Sequence, residues 1–197
     1  MRSLAIANGV AVVVISLIAF FELEAGFANL ASDESGVLEI CHNILLFEAA
    51  ALFLMCFCET GPGAMKLAAG IMSGACTIAF IRELEFDPSL LPVVWPSHAG
   101  AFKKSWLMAA VVGSMLAIVW KYRAFVAPAI AIGFERSSWP IYVAGALVVI
   151  ALLLDHAGSS SIQILDSHFW EEMAETYAYG FLVYAAIRHR ELARQGS

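Results

Sequence analysis

The chain has 197 residues, 61% of them hydrophobic, and a formal net charge of −6. So apolar a composition leaves little room for a soluble domain, and the acidic balance argues against nucleic acid as a partner. The expectation is an all-α polytopic membrane protein, with residues 1–197 forming a single six-helix transmembrane domain.

Six apolar runs set the predicted spans, at about 4–21, 38–58, 65–81, 106–120, 139–154 and 169–187. Crossing a hydrocarbon core about 30 Å thick takes roughly 17–25 apolar residues, and several of the runs reach that length. The first run follows Met1-Arg2-Ser3. It exceeds the apolar stretch of about 7–15 residues usual in a signal peptide, so it is read as a retained span. Trp106, Trp139 and Trp170 fall at run ends, where amphipathic rings favour the headgroup layer.

Charge is sorted by side. The segments sharing a side with the two termini carry Arg2, Lys66, Lys121, Arg123, Arg136, Arg188, Arg190 and Arg194, against only Glu59, Glu135 and Glu191. Thirteen acids fall on the opposite side, set against Arg82, Lys103 and Lys104. The positive-inside bias then predicts N-in/C-in topology in a cytoplasmic (inner) or equivalent membrane, with the acidic end outside.

The connections follow that alternation. Residues 59–64 form a short inner turn and 121–138 a longer basic inner connection, while 22–37, 82–100 and 155–168 lie outside. The second outer connection holds Pro88, Pro92 and Pro96, too many for a helix interior, so an ordered or extended cap is expected. No internal repeat supports an inverted-repeat transporter. Gly70 and Gly74 make a small-xxx-small face in the third run, suited to packing within the bundle or to a homodimer. All four cysteines lie in the second and third runs (Cys41, Cys56, Cys58, Cys76), away from the outer connections where a disulfide would serve.

Two carboxylates stand out by depth. Glu48 lies about ten residues into the second run, some 15 Å deep at about 1.5 Å per residue, where an ionisable group needs a partner or a proton. Glu175 is about 9 Å below the surface on the same reckoning, too deep to cap a helix terminus. In the last run His168, Glu172, Glu175 and Tyr179 recur at spacings of four, three and four, which is one helical face. Glu171 and Glu172 also suit a first helical turn, as dipole partners alone. His42 stands about 120° round the second run from Glu48 and is expected to be interfacial.

Arg82 is the one arginine on the acidic side and is expected to pair with a buried carboxylate or an anionic substrate group. Catalytic candidates are therefore Glu48, Glu175 and Arg82. Metal-ligand candidates are Glu83, Asp87, His98, Asp155, His156 and Glu172, all on the outer side. Uncompensated carboxylates repel one another, so protons or a cation must sit among them. Mixed imidazole and carboxylate donors suit Zn²⁺, Mn²⁺ or Fe²⁺ better than Ca²⁺ or Mg²⁺.

No two of these residues sit at a diagnostic metal spacing, and no Walker loop or G-x-S-x-G elbow is present. The leading expectation is a metal-dependent enzyme, a hydrolase, acting on a lipid or other amphiphile at an outward-facing polar cavity. The alternatives are a cation- or proton-coupled transporter or channel, and a non-catalytic subunit of a membrane complex. Membrane lipid and a small-molecule or cation ligand are the expected partners.

Overall fold

The computed structural model describes residues 37–83, 99–158 and 167–195, and these are helical almost throughout, with no strand among them. The helices are α1 (Val37–Glu59), α2 (Ala64–Glu83), α3 (Ala99–Lys121), the short α4 (Val126–Gly133), α5 (Trp139–Gly158) and α6 (Ser167–Gln195). The predicted run at 4–21 and most of the proline-rich connection, with Asp87 and His98, lie outside the described residues.

Among the described residues, four helical stretches are long and apolar enough to cross a membrane: Leu38–Glu59, Ala64–Glu83, Lys104–Lys121 and Arg136–His156. They cover the second to fifth predicted runs. α6 is not among them, because Glu171, Glu172 and Glu175 at one end and Arg188 and Arg190 at the other crowd its apolar middle. Of the six expected spans, four are met by length and composition among the described residues, and the first lies outside them.

The helix boundaries have local causes. α1 stops before Thr60-Gly61-Pro62-Gly63, where glycine and proline cannot continue it. Its orphan carbonyls are then met from outside the helix. The Thr60 hydroxyl donates to Cys56 O at 2.6 Å, and Lys66 Nζ donates to Phe57 O at 2.7 Å and to Thr60 O at 2.9 Å. Pro140 stands second in α5, where its missing N–H costs no helical bond.

The expected basic connection at 121–138 is more structured than its charge suggested. A 3-10 turn (Arg123–Phe125), α4 and a second 3-10 turn (Arg136–Ser138) fill it. Ser138 fastens the far end, donating from Oγ to Ile132 O at 2.7 Å. Its residues 126–133, Val-Ala-Pro-Ala-Ile-Ala-Ile-Gly, are apolar enough to pack back against α2.

Neighbours in space run α5, α6, α1, α2, α3, with α6 and α1 at the centre. The core between α1 and α6 sets larger side chains of α1 (Leu45, Leu46 and Phe53, with Ala49) with mostly small ones of α6 (Ala178, Val183, Ala185 and Ala186). Small residues let two helices approach closely where lipid offers no hydrophobic drive. Ser73 of α2 adds a bond across to α1, donating to Ala50 O at 3.0 Å. Gly70 and Gly74 face α3 within the chain. A Cβ at Gly70 would touch Phe57 and Ile118, and one at Gly74 would run into Met115.

Outward faces are apolar. Ile40, Ile44, Phe47 and Leu54 form an exposed stripe on α1, with Trp106, Leu116 and Trp120 on α3 and Val149, Leu152 and Leu153 on α5. Large apolar side chains on the outward faces of several helices suit surfaces that lie against hydrocarbon.

Candidate metal centre

α1 and α6 are joined at opposite ends by two different polar contacts. At one end Arg190 and Arg194 of α6 hold Glu59 of α1. Arg190 Nε donates to Oε2 at 2.9 Å, its Nη2 reaches Oε1, and Arg194 Nε donates to Oε2 at 3.3 Å. The hydrogen bonds and charge of Glu59 raise the Arg190 pKa above the ordinary arginine value, against a smaller lowering by burial. One residue earlier, buried His189 donates from Nδ1 to Ala185 O at 3.1 Å, and burial pushes its pKa down.

The other end of the seam holds the candidate site. His42, in the second turn of α1, is almost fully buried and faces Glu172, Glu175, Thr176 and Tyr179 of α6. Nδ1 lies 3.4 Å from Glu172 Oε2 and 3.7 Å from Glu175 Oε2. Nε2 lies 3.0 Å from the Glu172 carbonyl and 2.7 Å from Thr176 Oγ1. Tyr179 stacks its ring edge-to-face with the imidazole, centroids 5.2 Å apart. From there the polar chain climbs outward: Glu175 Oε1 is 3.5 Å from Arg82 Nη2, and Arg82 is held by neighbouring Glu83 and is half exposed. Lys104 of α3 reaches the Arg82 carbonyl and ties a third helix to this end.

Tautomer logic gives the group its chemistry. A backbone carbonyl only accepts, so the short contact to Glu172 O places a proton on Nε2. The Thr176 hydroxyl donates to the same carbonyl at 2.9 Å, leaving its lone pairs for Nε2–H. Neutral His42 therefore turns the Nδ1 lone pair towards two carboxylate oxygens. Three acceptors converging in a buried space call for a proton or a cation between them.

The residues fit a cation. One ligand atom from each of His42, Glu172 and Glu175 can be chosen so that all lie within 4.8 Å of one another. With metal–ligand bonds of about 2.0–2.2 Å, neighbouring donors on a tetrahedral ion stand roughly 3.4 Å apart. The two His42 distances lie near that spacing. Metal-binding imidazoles also commonly donate their second N–H to a backbone carbonyl, as Nε2 does here. The His42/Glu172/Glu175 group could thus hold a metal ion.

Several sequence expectations meet here and others do not. Glu172, Glu175 and Tyr179 share a face as their spacing predicted, and Arg82 pairs with Glu175. α6 begins at Ser167, which puts Glu171 and Glu172 past the first turn and weakens the dipole explanation for them. His42 is a correction: expected to be interfacial, it is buried at the centre of the group. Glu48 is half-buried, about 9 Å further along α1 and about 120° round from His42. It is therefore not one of the three. Glu83 reaches the group only through Arg82. Asp155 and His156 are exposed near the end of α5, which continues past the predicted boundary at 154, and they stand apart from it. The side chain of His168 lies outside the described residues, as do Asp87 and His98.

Searches with the chain match no protein-family model, no curated protein and no solved structure.

Proposed function

We propose that the chain is an integral membrane protein that holds Zn²⁺, Mn²⁺ or Fe²⁺ among His42, Glu172 and Glu175, and acts as a metal-dependent hydrolase on a lipid or other amphiphile. The observation that carries the metal is the convergence of the Nδ1 lone pair and two carboxylate oxygens at 3.4 and 3.7 Å. A nitrogen donor with two carboxylates suits these ions better than Ca²⁺ or Mg²⁺. A cation held by three protein groups has room for water, and its contribution would be to make that water a nucleophile near neutral pH.

The chain's own residues supply the rest. Glu175 divides its two oxygens between the site and Arg82. Arg82, half exposed at the end of α2, stands where the anionic group of an amphiphile would arrive. The six-span, N-in/C-in arrangement in a cytoplasmic or equivalent membrane belongs to the same reading. It is supported by the sorting of charge between the two ends and puts the site towards the outer headgroups.

Elemental analysis of the detergent-purified protein tests the metal. About one equivalent is expected, lost in His42→Ala and Glu172→Gln, with chelation lowering the unfolding temperature of the parent protein. A metal-free protein indifferent to chelators would sink this reading. Hydrolysis of mixed-phospholipid vesicles tests the reaction. Flux of the cation across proteoliposomes, with no lipid product, would assign the site to transport instead.

A further inference from the structure

Thr176 is fully buried in α6. A threonine in a helix often returns its hydroxyl proton to the carbonyl four residues back, and Thr176 does so with Glu172 O at 2.9 Å. Taken alone that bond is ordinary helix chemistry. What sets Thr176 apart is that the same oxygen lies 2.7 Å from His42 Nε2, across the α1–α6 seam.

The protons can be assigned from this. With its own hydrogen committed to Glu172 O, Thr176 Oγ1 presents lone pairs to Nε2. The carbonyl of Glu172, 3.0 Å from the same nitrogen, presents only lone pairs. Two acceptors therefore share the Nε2 proton at 2.7 and 3.0 Å, whereas the carboxylates that would favour a proton on Nδ1 stand farther off, at 3.4 and 3.7 Å. The ring is further oriented by Tyr179 against it.

We infer that Thr176 is a positioning residue: it fixes the His42 tautomer and ring angle so that the Nδ1 lone pair is delivered to the space between Glu172 and Glu175. It acts through His42 and is not itself a ligand. Its consequence for metal binding rests on the reading given under Proposed function, whereas the tautomer assignment stands on the hydrogen bonds alone. Because Glu172 contributes both its carboxylate and its carbonyl, the turn from Glu172 to Thr176 is the unit that organises the imidazole.

The test compares Thr176→Val, which keeps the side-chain shape and removes the hydroxyl, with Thr176→Ser, which keeps the hydroxyl. Thr176→Ala gives a second deletion should the valine variant fail to fold. Two readouts are taken on the full chain in detergent. Nitrogen NMR of ¹⁵N-histidine-labelled protein, with the His42 signals assigned by their loss in His42→Ala, reports the tautomer in the metal-free state. Competition with a chromophoric chelator reports the affinity for Zn²⁺ and Mn²⁺.

The parent protein and Thr176→Ser should show Nε2–H with Nδ1 bare and should bind alike. Thr176→Val should show mixed or reversed protonation and bind about 10–100-fold more weakly, the usual cost of losing an outer-shell partner. An unchanged tautomer in Thr176→Val, or a serine variant as impaired as the valine one, would overturn the inference. A parent protein that binds neither metal would refute the metal reading, and the NMR comparison would still judge Thr176.

Discussion

His42 and Glu172 meet twice, through both nitrogens of one imidazole. Nε2 bonds to the Glu172 carbonyl at 3.0 Å while Nδ1 faces the Glu172 carboxylate at 3.4 Å. Two contacts between the same pair of residues fix the distance between α1 and α6 and the rotation of each about its axis. The site and the central helix packing are therefore the same structural feature. A change at either residue disturbs both, and stability and ligand binding must be measured together.

His42→Leu keeps the bulk of the side chain and removes both nitrogens. It leaves buried polar groups of α6 without the donor they share and sets two carboxylates facing each other. Leaving a buried polar group unsatisfied costs about 1–3 kcal/mol, more where a charge is involved. Denaturation of the metal-free protein in detergent should show a loss of at least that size. Glu48→Gln, half-buried and outside the group, should lose less. Equal losses would place Glu48 and His42 on the same footing.

Arg82→Gln separates a ligand-like role from an electrostatic one. Arg82 is half exposed, and its contact with Glu175 spans 3.5 Å, so the change should move stability by no more than about 1 kcal/mol. Removing a cation beside Glu175 should also strengthen divalent-metal binding severalfold, opposite in sign to the loss in Glu175→Gln. Titration of both variants with Mn²⁺ checks this. A shared loss of affinity would make Arg82 a structural part of the site.

The long described helices were legible in the sequence as apolar runs with local bounds, such as Gly61-Pro62-Gly63 after α1 and Trp139-Pro140 at the start of α5, whereas α4 was hidden in a connection marked by its basic residues. The site was half legible. The spacing of Glu172, Glu175 and Tyr179 put them on one face of α6, but their partner on α1 was not apparent. In a membrane protein both faces of a helix are apolar, so Ile40, Ile44 and Phe47 on the outside of α1 look no less core-like than Leu45, Leu46 and Phe53 on the inside. The depth of Glu48 drew attention to another face, 120° from His42. Inter-helix register, which brings residue 42 to residues 172–176, is a property of packing that one helix's pattern does not contain. A useful signal was the small residues Ala49 and Cys56 on the His42 side, which mark the face of close approach.

The N-in/C-in topology proposed from the charge sorting can be checked directly. Reporter fusions in 59–64 and after Arg194 should read cytoplasmic, and fusions in 88–96 should read external. An external C-terminus would turn the His42 end inwards and place any substrate on the cytoplasmic side.

The α2–α3 contact predicts a particular pattern of rescue. Met115 covers Gly74 with a flexible side chain, so Gly74→Ala should be absorbed by a rotamer change and cost under about 1 kcal/mol. Gly74→Ile leaves Met115 no place and should cost about 1–3 kcal/mol, as overpacking does. In a Met115→Ala background most of that loss should disappear, which thermal unfolding of the four proteins would reveal. An additive double variant would show that Gly74 is needed for some other contact, a second copy of the chain included.

His189 sets the sign of a pH effect at the far end of the seam. Its ring is buried against Phe53, centroids 5.9 Å apart, and burial holds its pKa below the ordinary 6.5. The hydrogen bond to the Ala185 carbonyl and the nearby Glu135 offset this only in part, and Arg188 adds to it. In the folded chain the imidazole is neutral, while in the unfolded chain it gains a proton as pH falls through about 6.5. The unfolded state then binds more protons, so stability due to His189 is fully present above that pH and is lost on acidification. Unfolding followed from pH 7.5 down to pH 5.5 should show the parent protein weakening more than His189→Gln, which cannot take up the proton. If the two curves fall in parallel, acid sensitivity belongs to the carboxylates around His42 and not to this histidine.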